Sequence, residues 1–172
     1  VYQQLSEMIP DHLELVAVPT AEFGKEYLQT QPKEALELGC DPDYNAYTGK
    51  QNPRPNGDVT FRTGAGHIHI GWTDNADVND KEHIEVCRLV IKQLDATLGL
   101  VSLNWDSDVK RRGLYGDKGA YRVKPYGVEY RTLSNAWINH PELYEVIPKI
   151  VKDAWNKLRE SSPHTLEVPE DL

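Results

Sequence analysis

The sequence predicts an α+β fold in which helices cover one face of an antiparallel or mixed sheet. Two amphipathic stretches, residues 80–98 and 141–159, have apolar residues at helical spacing. Strand-like segments separate and flank these helices, which is typical of α+β proteins. No predicted strand is followed by the glycine-rich motif of doubly wound, dinucleotide-binding folds. A parallel nucleotide-binding sheet is therefore not predicted.

The N-terminal third predicts short elements and a loop. Residues 2–8 look helical. In residues 13–18, Leu13, Leu15 and Ala17 alternate with Glu14, Val16 and Val18 before Pro19, which predicts a strand. Residues 24–38 predict a helix broken around Pro32, because proline interrupts helical hydrogen bonding. Residues 39–57 are dense in Asp, Asn, Pro and Gly, which predicts a long loop of the kind that often carries function.

The central region predicts a strand, a helix and a second loop. Residues 59–72 predict one strand, and residues 80–98 predict a helix that ends at Gly99. Cys87 lies on the apolar side of that helix and is predicted to be in the core. Residues 104–125 predict a second long loop, which is rich in glycine and contains the most basic stretch of the chain.

The C-terminal third predicts a second motif strand at residues 127–133 and a helix at residues 141–159. A chain of 172 residues fits a single domain. We therefore expect one domain over residues 1–160 and a polar tail over residues 161–172. The chain begins at Val1 without an initiator Met, so a processed or trimmed start is expected.

Composition excludes several classes of protein. The chain has 27 acidic and 19 basic residues, a net charge of -8 that argues against broad nucleic-acid binding. No apolar run is long enough to span a membrane, and no secretion signal opens the chain. Two cysteines are too few for a disulfide framework. These features predict a soluble, cytoplasmic protein that binds neither nucleic acid nor membranes.

Two strand segments carry the main chemical signal. Side chains alternate across a strand, so His67 and His69 share one face and Glu129 and Arg131 likewise point together. If the strands are neighbours, this surface can hold a divalent metal and an anion. The alternatives are a pair of surface or hydrogen-bonded histidines and a simple ion pair between Glu129 and Arg131.

A set of cations near the second motif strand suggests phosphate binding. Arginine binds phosphate in a planar, bidentate manner, and nearby glycines let backbone N–H groups approach a ligand. The alternative is a solvated basic loop. The predicted polyphosphate cradle consists of Arg111, Arg112, Lys118, Arg122 and Lys124.

Three segments resemble a known family. They read GCDPDYNAY at residues 39–47, RTGAGHIHI at residues 62–70, and RRGLYG at 111–116 followed by GAYRVKPYGVEYRTLSN at 119–135. Over residues 36–137 the chain resembles the phage carboxylate-amine ligase (amidoligase) family. That family is similar to the glutamine synthetase and glutamate-cysteine ligase superfamily.

The resemblance implies a curved antiparallel sheet, like that of the glutamine synthetase catalytic domain, whose concave face holds ATP and divalent ions. By this resemblance His67 and Glu129 match metal ligands, and His69 faces nucleotide or substrate. Arg131 matches an arginine near the transferred phosphate, and Arg122 a further phosphate-binding arginine. The acidic metal-binding strand of the superfamily is not found here, so it is expected to precede Val1.

The implied reaction is ATP-dependent amide formation. A phosphoryl group passes from ATP to a carboxylate, and an amine then attacks the acyl phosphate. The predicted catalytic residues are Arg131, Glu129 and Arg122, and the predicted cofactor-binding residues are His69, Arg111, Arg112 and Lys124. The implied cofactors are ATP with Mg2+ or Mn2+, and the substrates are small-molecule or peptide carboxylates and amines.

Two other functions and two other properties stay open. One function is that of a metal-dependent oxygenase or isomerase in which His67, His69 and Glu129 converge on one ion. The other is a degenerate, non-catalytic binding protein of the same fold. A homo-oligomer is also open, and a phage-encoded protein would act in the host cytoplasm.

Overall fold

The computed structural model describes residues 2–38, 42–55 and 59–161. Its centre is a four-stranded antiparallel sheet in the order β2-β5-β6-β4. A separate two-stranded antiparallel ribbon is formed by β1 and β3. The strands are β1 (Thr20–Glu22), β2 (Tyr44–Asn45), β3 (Phe61–Thr63), β4 (Ile68–Gly71), β5 (Ala120–Lys124) and β6 (Gly127–Tyr130).

Strands β5 and β6 form a hairpin whose turn consists of Pro125 and Tyr126. Strand β4 pairs with the other side of β6, so the two motif segments predicted from the sequence are neighbours. Because side chains alternate, Val123 and Val128 point to the same face of the sheet as Tyr130. Arg122 and Glu129 are paired across the hairpin and point to the opposite face.

Two long helices, α4 (Lys81–Leu94) and α7 (Leu143–Ser161), pack against each other, and α4 lies against β5 and β6. Cys87, Val90 and Ile91 of α4 are buried in one core with Val128 and Tyr130 of the sheet. Removal of these apolar side chains from water is the main favourable term that fixes the helices there. The shorter helices are α1 (Tyr2–Met8), α2 (Lys25–Gln29), α3 (Lys33–Leu36), α5 (Leu100–Ser102) and α6 (Val109–Leu114).

These elements confirm the predicted α+β class with antiparallel strands and helices. The helix expected at residues 2–8 is α1, and the one expected at 141–159 is α7. The predicted break at Pro32 is also confirmed, since Pro32 separates α2 from α3 and caps the start of α3. The predicted position of Cys87 in the core is correct, because its side chain is fully buried.

The strand predicted at residues 13–18 is wrong, because this segment is irregular. Leu13, Val16 and Val18 are exposed, so the segment lacks the buried face that holds a strand in a sheet. Ala17 is the buried residue of the segment, and its carbonyl oxygen accepts a hydrogen bond from Asn139 Nδ2 at 2.6 Å. The first strand begins only at Thr20.

The single strand predicted over residues 59–72 is two strands, β3 and β4, which belong to different sheets. Gly64 and Gly66 separate them because another part of the chain approaches closely. A Cβ atom on Gly66 would lie 2.1 Å from the carbonyl oxygen of Ser134, and one on Gly64 would lie 2.5 Å from Asn135 Nδ2. The chain therefore crosses between the two sheets where only glycine fits.

The helix stop predicted at Gly99 is also wrong. The helical path continues from α4 through a π-helical turn, Asp95–Gly99, into α5 and ends at Ser102. The absence of a side chain at Gly99 leaves room for Tyr130, whose hydroxyl would lie 2.6 Å from a Cβ atom there. That hydroxyl donates a hydrogen bond to Asp95 Oδ1 at 2.7 Å. The packing of the π-helical turn against Tyr130 of the sheet therefore explains why residue 99 is glycine.

The two predicted long loops are more structured than expected. Residues 104–125 contain α6 and the central strand β5, and Asp108 begins α6 by accepting a hydrogen bond from the Arg111 N–H at 2.9 Å. The loop predicted at residues 39–57 contains β2, while residues 39–41 and 56–58 lie outside the described residues. Residues 162–172 of the predicted tail lie outside them as well, so no part of the domain division at residue 160 is tested.

The described ranges, residues 2–38, 42–55 and 59–161, contain two long helices, α4 and α7. None of the helices in these ranges is both long enough and apolar enough to cross a bilayer.

Candidate active site

Charged side chains gather on the face of the sheet that α4 leaves uncovered. Arg122 and Lys124 reach this face from β5, and Glu129 reaches it from β6. Arg131 follows β6, and His67 precedes β4. Strand pairing between β4, β6 and β5 thus places these five side chains, which we call the Glu129 cluster, beside one another.

The Glu129 carboxylate is the centre of the cluster. Its Oε1 atom lies 2.9 Å from His67 Nδ1 and accepts a hydrogen bond from Arg131 Nη1. Its Oε2 atom lies 3.2 Å from Arg122 Nη1 and 3.2 Å from Lys124 Nζ. Glu129 is only 3% exposed, so three cations and one imidazole surround a carboxylate that water hardly reaches.

These partners determine the ionisation of Glu129. Burial by itself raises the pKa of the carboxyl group, because a charge is costly to remove from water. The hydrogen bond from His67 and the positive charges of Arg122 and Lys124 outweigh burial and lower the pKa of Glu129 to about 2. The carboxylate is therefore ionised throughout the physiological range.

His67 is neutral and oriented by the same contact. Burial is the largest cause of its lowered pKa, and the positive charge of Arg131 lowers the pKa further. The 2.9 Å contact indicates that Nδ1 carries the proton and donates a hydrogen bond to the Glu129 carboxylate. Nε2 then keeps its lone pair, and among the described residues this buried atom has no hydrogen-bond partner.

Arg131 connects the cluster to β2. Its Nε atom donates to Asp43 Oδ2 at 3.2 Å, and its guanidinium lies 5.0 Å from the centre of the Tyr115 ring. Arg131 is 3% exposed, so this side chain is held between Glu129 and Asp43. Asp43 lies in the loop predicted at residues 39–57, and no local sequence pattern links it to a residue 88 positions away.

His69 lies on the same face but has a different partner. It is opposite Glu129 in the strand pairing, yet its Nδ1 atom is within hydrogen-bonding distance of the Tyr126 hydroxyl at the β5-β6 turn. Its side chain is exposed. The structure therefore brings His67 to Glu129 and leaves His69 beside the cluster.

The five cations predicted as a polyphosphate cradle do not come together. Arg122 and Lys124 belong to the Glu129 cluster. Arg112 donates to Ser102 Oγ at 2.8 Å, and Lys118 lies over the Tyr47 ring.

Arg111 is fully buried, and its guanidinium binds backbone carbonyl groups. It donates to the carbonyl oxygens of Gly64 at 3.0 Å, Thr132 at 2.7 Å and Leu133 at 2.7 Å. Burial lowers the pKa of Arg111 to about 10, so the group remains charged at neutral pH. The role of Arg111 and Arg112 in cofactor binding stays a prediction, and these intramolecular contacts argue against it.

The described residues fit an anion better than a divalent metal ion. They contain no group of three or more His, Cys, Asp or Glu side chains that could hold a metal. Three full positive charges, on Arg122, Lys124 and Arg131, face the two carboxylates of Glu129 and Asp43. Because His67 is neutral, the net charge of these groups is positive, which suits an anion and not a metal cation.

Two cavities border residues of this cluster or residues in contact with it. A cavity of about 630 Å³ runs beside β4 and is lined partly by His67 and His69. A smaller cavity of about 340 Å³ is lined partly by Asp43 and Tyr115. The chain of contacts from His67 through Glu129 and Arg131 to Asp43 therefore connects the walls of both cavities.

Comparison with known families agrees with these segments. The model of a family described as phage phiEco32-like COOH.NH2 ligase-type 2 matches residues 59–170. The chain belongs to this family. The match includes β3 to β6, α4 to α7 and every member of the Glu129 cluster. Membership in this ligase family confirms the resemblance and indicates a ligase-type enzyme.

Comparisons with curated proteins and with solved structures gave no match. The family therefore supports a carboxylate-amine ligase in general terms.

Proposed function

We propose that the chain is an ATP-dependent carboxylate-amine ligase that forms an amide through an acyl phosphate. The observation that carries this proposal is the convergence of Arg122, Lys124 and Arg131 on the sheet face that α4 leaves uncovered, in a chain whose net charge is -8. Phosphoryl transfer is catalysed mainly by positioning and charge neutralisation. A cluster of fixed cations supplies both.

In the first step a carboxylate oxygen forms a bond to the γ-phosphorus of ATP. The bond from that phosphorus to the bridging oxygen breaks, and ADP leaves with the electron pair. In the second step the amine nitrogen attacks the acyl carbon, inorganic phosphate leaves, and the amine loses a proton. Magnesium or manganese would be bound to the phosphates of ATP.

The residues of the cluster have different parts in this reaction. Arg122 and Lys124 bind phosphate oxygens, and Arg131 stabilises charge on the transferred group. Glu129 is a positioning residue, because its four contacts hold the cations in place. His67 is oriented by Glu129, so its Nε2 lone pair can accept the proton that the amine loses.

The metal ligand role predicted for His67 and Glu129 stays a prediction. A metal ion at Glu129 would have to displace at least one of its cationic partners. The oxygenase or isomerase hypothesis requires His67, His69 and Glu129 to converge, and the tyrosine partner of His69 does not favour it. The assay below distinguishes a ligase from a degenerate, non-catalytic binding protein of the same fold.

The experiment follows oxygen from the carboxylate to phosphate. The protein is incubated with Mg·ATP, hydroxylamine as the amine and a mixture of 18O-labelled carboxylic acids. Formation of an acyl phosphate predicts inorganic phosphate that carries one 18O atom, detected by mass spectrometry. Arg122→Gln should abolish the labelled phosphate, whereas Lys118→Gln, a loss of the same charge outside the cluster, should retain it.

Two results would overturn the proposal. One is ATP turnover that yields only unlabelled phosphate, which would indicate hydrolysis. The other is an absence of turnover with every acid of the mixture while Mg·ATP binds, which would favour a binding protein of the same fold.

A further inference from the structure

The cavity beside β4 has mainly apolar walls. With a volume of about 630 Å³, it has the size of a small-molecule site. It lies between the outer edge of β4 and the C-terminal helix α7. The apolar walls are formed by Ile68, Ile70, Trp137, Ile147, Val151 and Trp155.

One wall of this cavity is the edge of a sheet. β4 is the last strand of the sheet and pairs with β6 alone among the described strands. The Trp72 N–H donates to the Tyr126 carbonyl at 2.9 Å, so backbone groups of the residues two and four positions earlier also face β6. The backbone groups of His69 and Gly71 consequently face the cavity and can bind an amide group.

The polar side chains of the cavity favour an anion. Lys152 and Arg159 lie two turns apart on α7, and both line the cavity together with His67 and His69. No Asp or Glu is among the described residues that line it. In a chain with a net charge of -8, this local excess of positive charge attracts a carboxylate and disfavours an ammonium group.

His67 connects the cavity to the Glu129 cluster. Its Nδ1 atom contacts Glu129, while Nε2 has no partner among the described residues. Because His67 also lines the cavity, a ligand there can place a carboxylate next to the cations of the cluster. The cavity and the cluster together have the arrangement of a binding site beside a reacting centre.

We propose that this cavity binds the carboxylate substrate, and that this substrate is a peptide-like acid whose C-terminal residue has a large apolar side chain. The assignment rests on the proposed function, since it identifies the acid that the ligase would activate. The apolar group fills the space between Ile147 and Trp155, the amide group binds the edge of β4, and the carboxylate points past His67 toward the cations of the Glu129 cluster. The positive charges of Lys152 and Arg159 select the acid over the amine.

The test measures equilibrium binding without nucleotide. N-acetyl-L-phenylalanine is titrated into the protein by calorimetry, with two matched compounds for comparison. N-acetyl-L-phenylalaninamide lacks the charge, and N-acetylglycine lacks the apolar group. Each comparison compound should bind at least about tenfold more weakly than N-acetyl-L-phenylalanine.

Charge reversal on α7 locates the site. Lys152→Glu combined with Arg159→Glu should weaken binding of N-acetyl-L-phenylalanine at least about tenfold. Lys149→Glu combined with Lys157→Glu changes the charge of the same helix equally, but these residues do not line the cavity. This control pair should bind within about twofold of the unchanged protein. Circular dichroism checks that both variants are folded.

Equal affinity for the acid and its amide would overturn the proposal, as would an equal loss of binding in both charge-reversed variants. Mg·ATP binding is measured separately on the same samples. If ATP binds and the acid does not, the cavity assignment fails alone. If the acid binds at the cavity and ATP does not bind, the proposed ligase function fails while the cavity remains an acid-binding site.

Discussion

The Nδ1 atom of His67 lies 2.9 Å from the Oε1 atom of Glu129. This contact joins the start of one strand to its neighbour and fixes the imidazole with its second nitrogen unengaged among the described residues. It also places a neutral acceptor beside three cations. The reactivity proposed for the site depends on this relationship, because Glu129 orients both the base and the phosphate-binding groups.

Substitution of Glu129 by Gln should lower both stability and activity. The neutral amide leaves Arg122, Lys124 and Arg131 without their shared counter-charge in a site that water hardly reaches. We expect the free energy of unfolding to fall by about 3 kcal/mol, measured by urea denaturation. The control Glu85→Gln removes an exposed partner of Arg88 and should cost less than about 1 kcal/mol. Equal costs would contradict the central position of Glu129.

The stability of the protein should fall in acid. Glu129 has a lowered pKa of about 2 against an ordinary value of 4.5, so its contribution is complete above pH 4.5 and is lost as the pH falls toward 2. This difference in pKa corresponds to about 3 kcal/mol. The lowered pKa of His67 acts in the same direction, because the unfolded chain takes up a proton below pH 6.5 and the folded chain resists it.

Denaturation at several pH values tests this expectation. The unchanged protein should lose about 3 kcal/mol more than Glu129→Gln between pH 5 and pH 2. Parallel pH profiles for the two proteins would show that Glu129 does not have a lowered pKa.

Substitution by alanine should have opposite effects on stability at two helical glycines. A Cβ atom on Gly99 would lie 2.6 Å from the Tyr130 hydroxyl and 3.0 Å from Asp95 Oδ1. Gly99→Ala should therefore destabilise the protein by about 1–3 kcal/mol. A Cβ atom on Gly113 in α6 would meet nothing within 4 Å, so Gly113→Ala should be neutral or stabilising by up to about 1 kcal/mol. Thermal denaturation measures both, and a stable Gly99→Ala variant would contradict the packing at the π-helical turn.

Arg111 should stabilise the fold and should make no contribution to nucleotide binding. Lysine cannot reproduce the three hydrogen bonds to the carbonyls of Gly64, Thr132 and Leu133. Arg111→Lys should lower the free energy of unfolding by about 2–4 kcal/mol, whereas the same change at the exposed Arg54 should leave it within about 0.5 kcal/mol. ATP affinity, measured below the melting temperature of the variant, should not change. A loss of ATP affinity with unchanged stability would restore Arg111 to the nucleotide site.

The sequence leaves open whether the two motif strands are neighbours, and alternation along each strand predicts which of its side chains share a face. His67, Glu129 and Arg131 share a face for that reason, and the structure places them together. The long helices are equally predictable, since each has an apolar side of helical period. Side-chain alternation therefore accounts for most of the Glu129 cluster.

The parts that the sequence does not predict depend on tertiary contacts. Gly99 has the local features of a helix stop, and only the approach of Tyr130 explains why a glycine lies inside a continuing helix. Arg111 has the local features of a phosphate-binding residue, and only its carbonyl partners show that it is buried. Asp43 joins Arg131 across 88 positions, a separation over which no sequence period operates.

The most direct test of the central claim is calorimetric titration of Mg·ATP into the unchanged protein, Arg122→Gln and Lys118→Gln. If the Glu129 cluster binds the phosphates, the unchanged protein and Lys118→Gln should bind with affinities within about twofold of each other, and Arg122→Gln should bind at least about tenfold more weakly. An unchanged protein that does not bind Mg·ATP, or an Arg122→Gln variant with full affinity, would contradict the account.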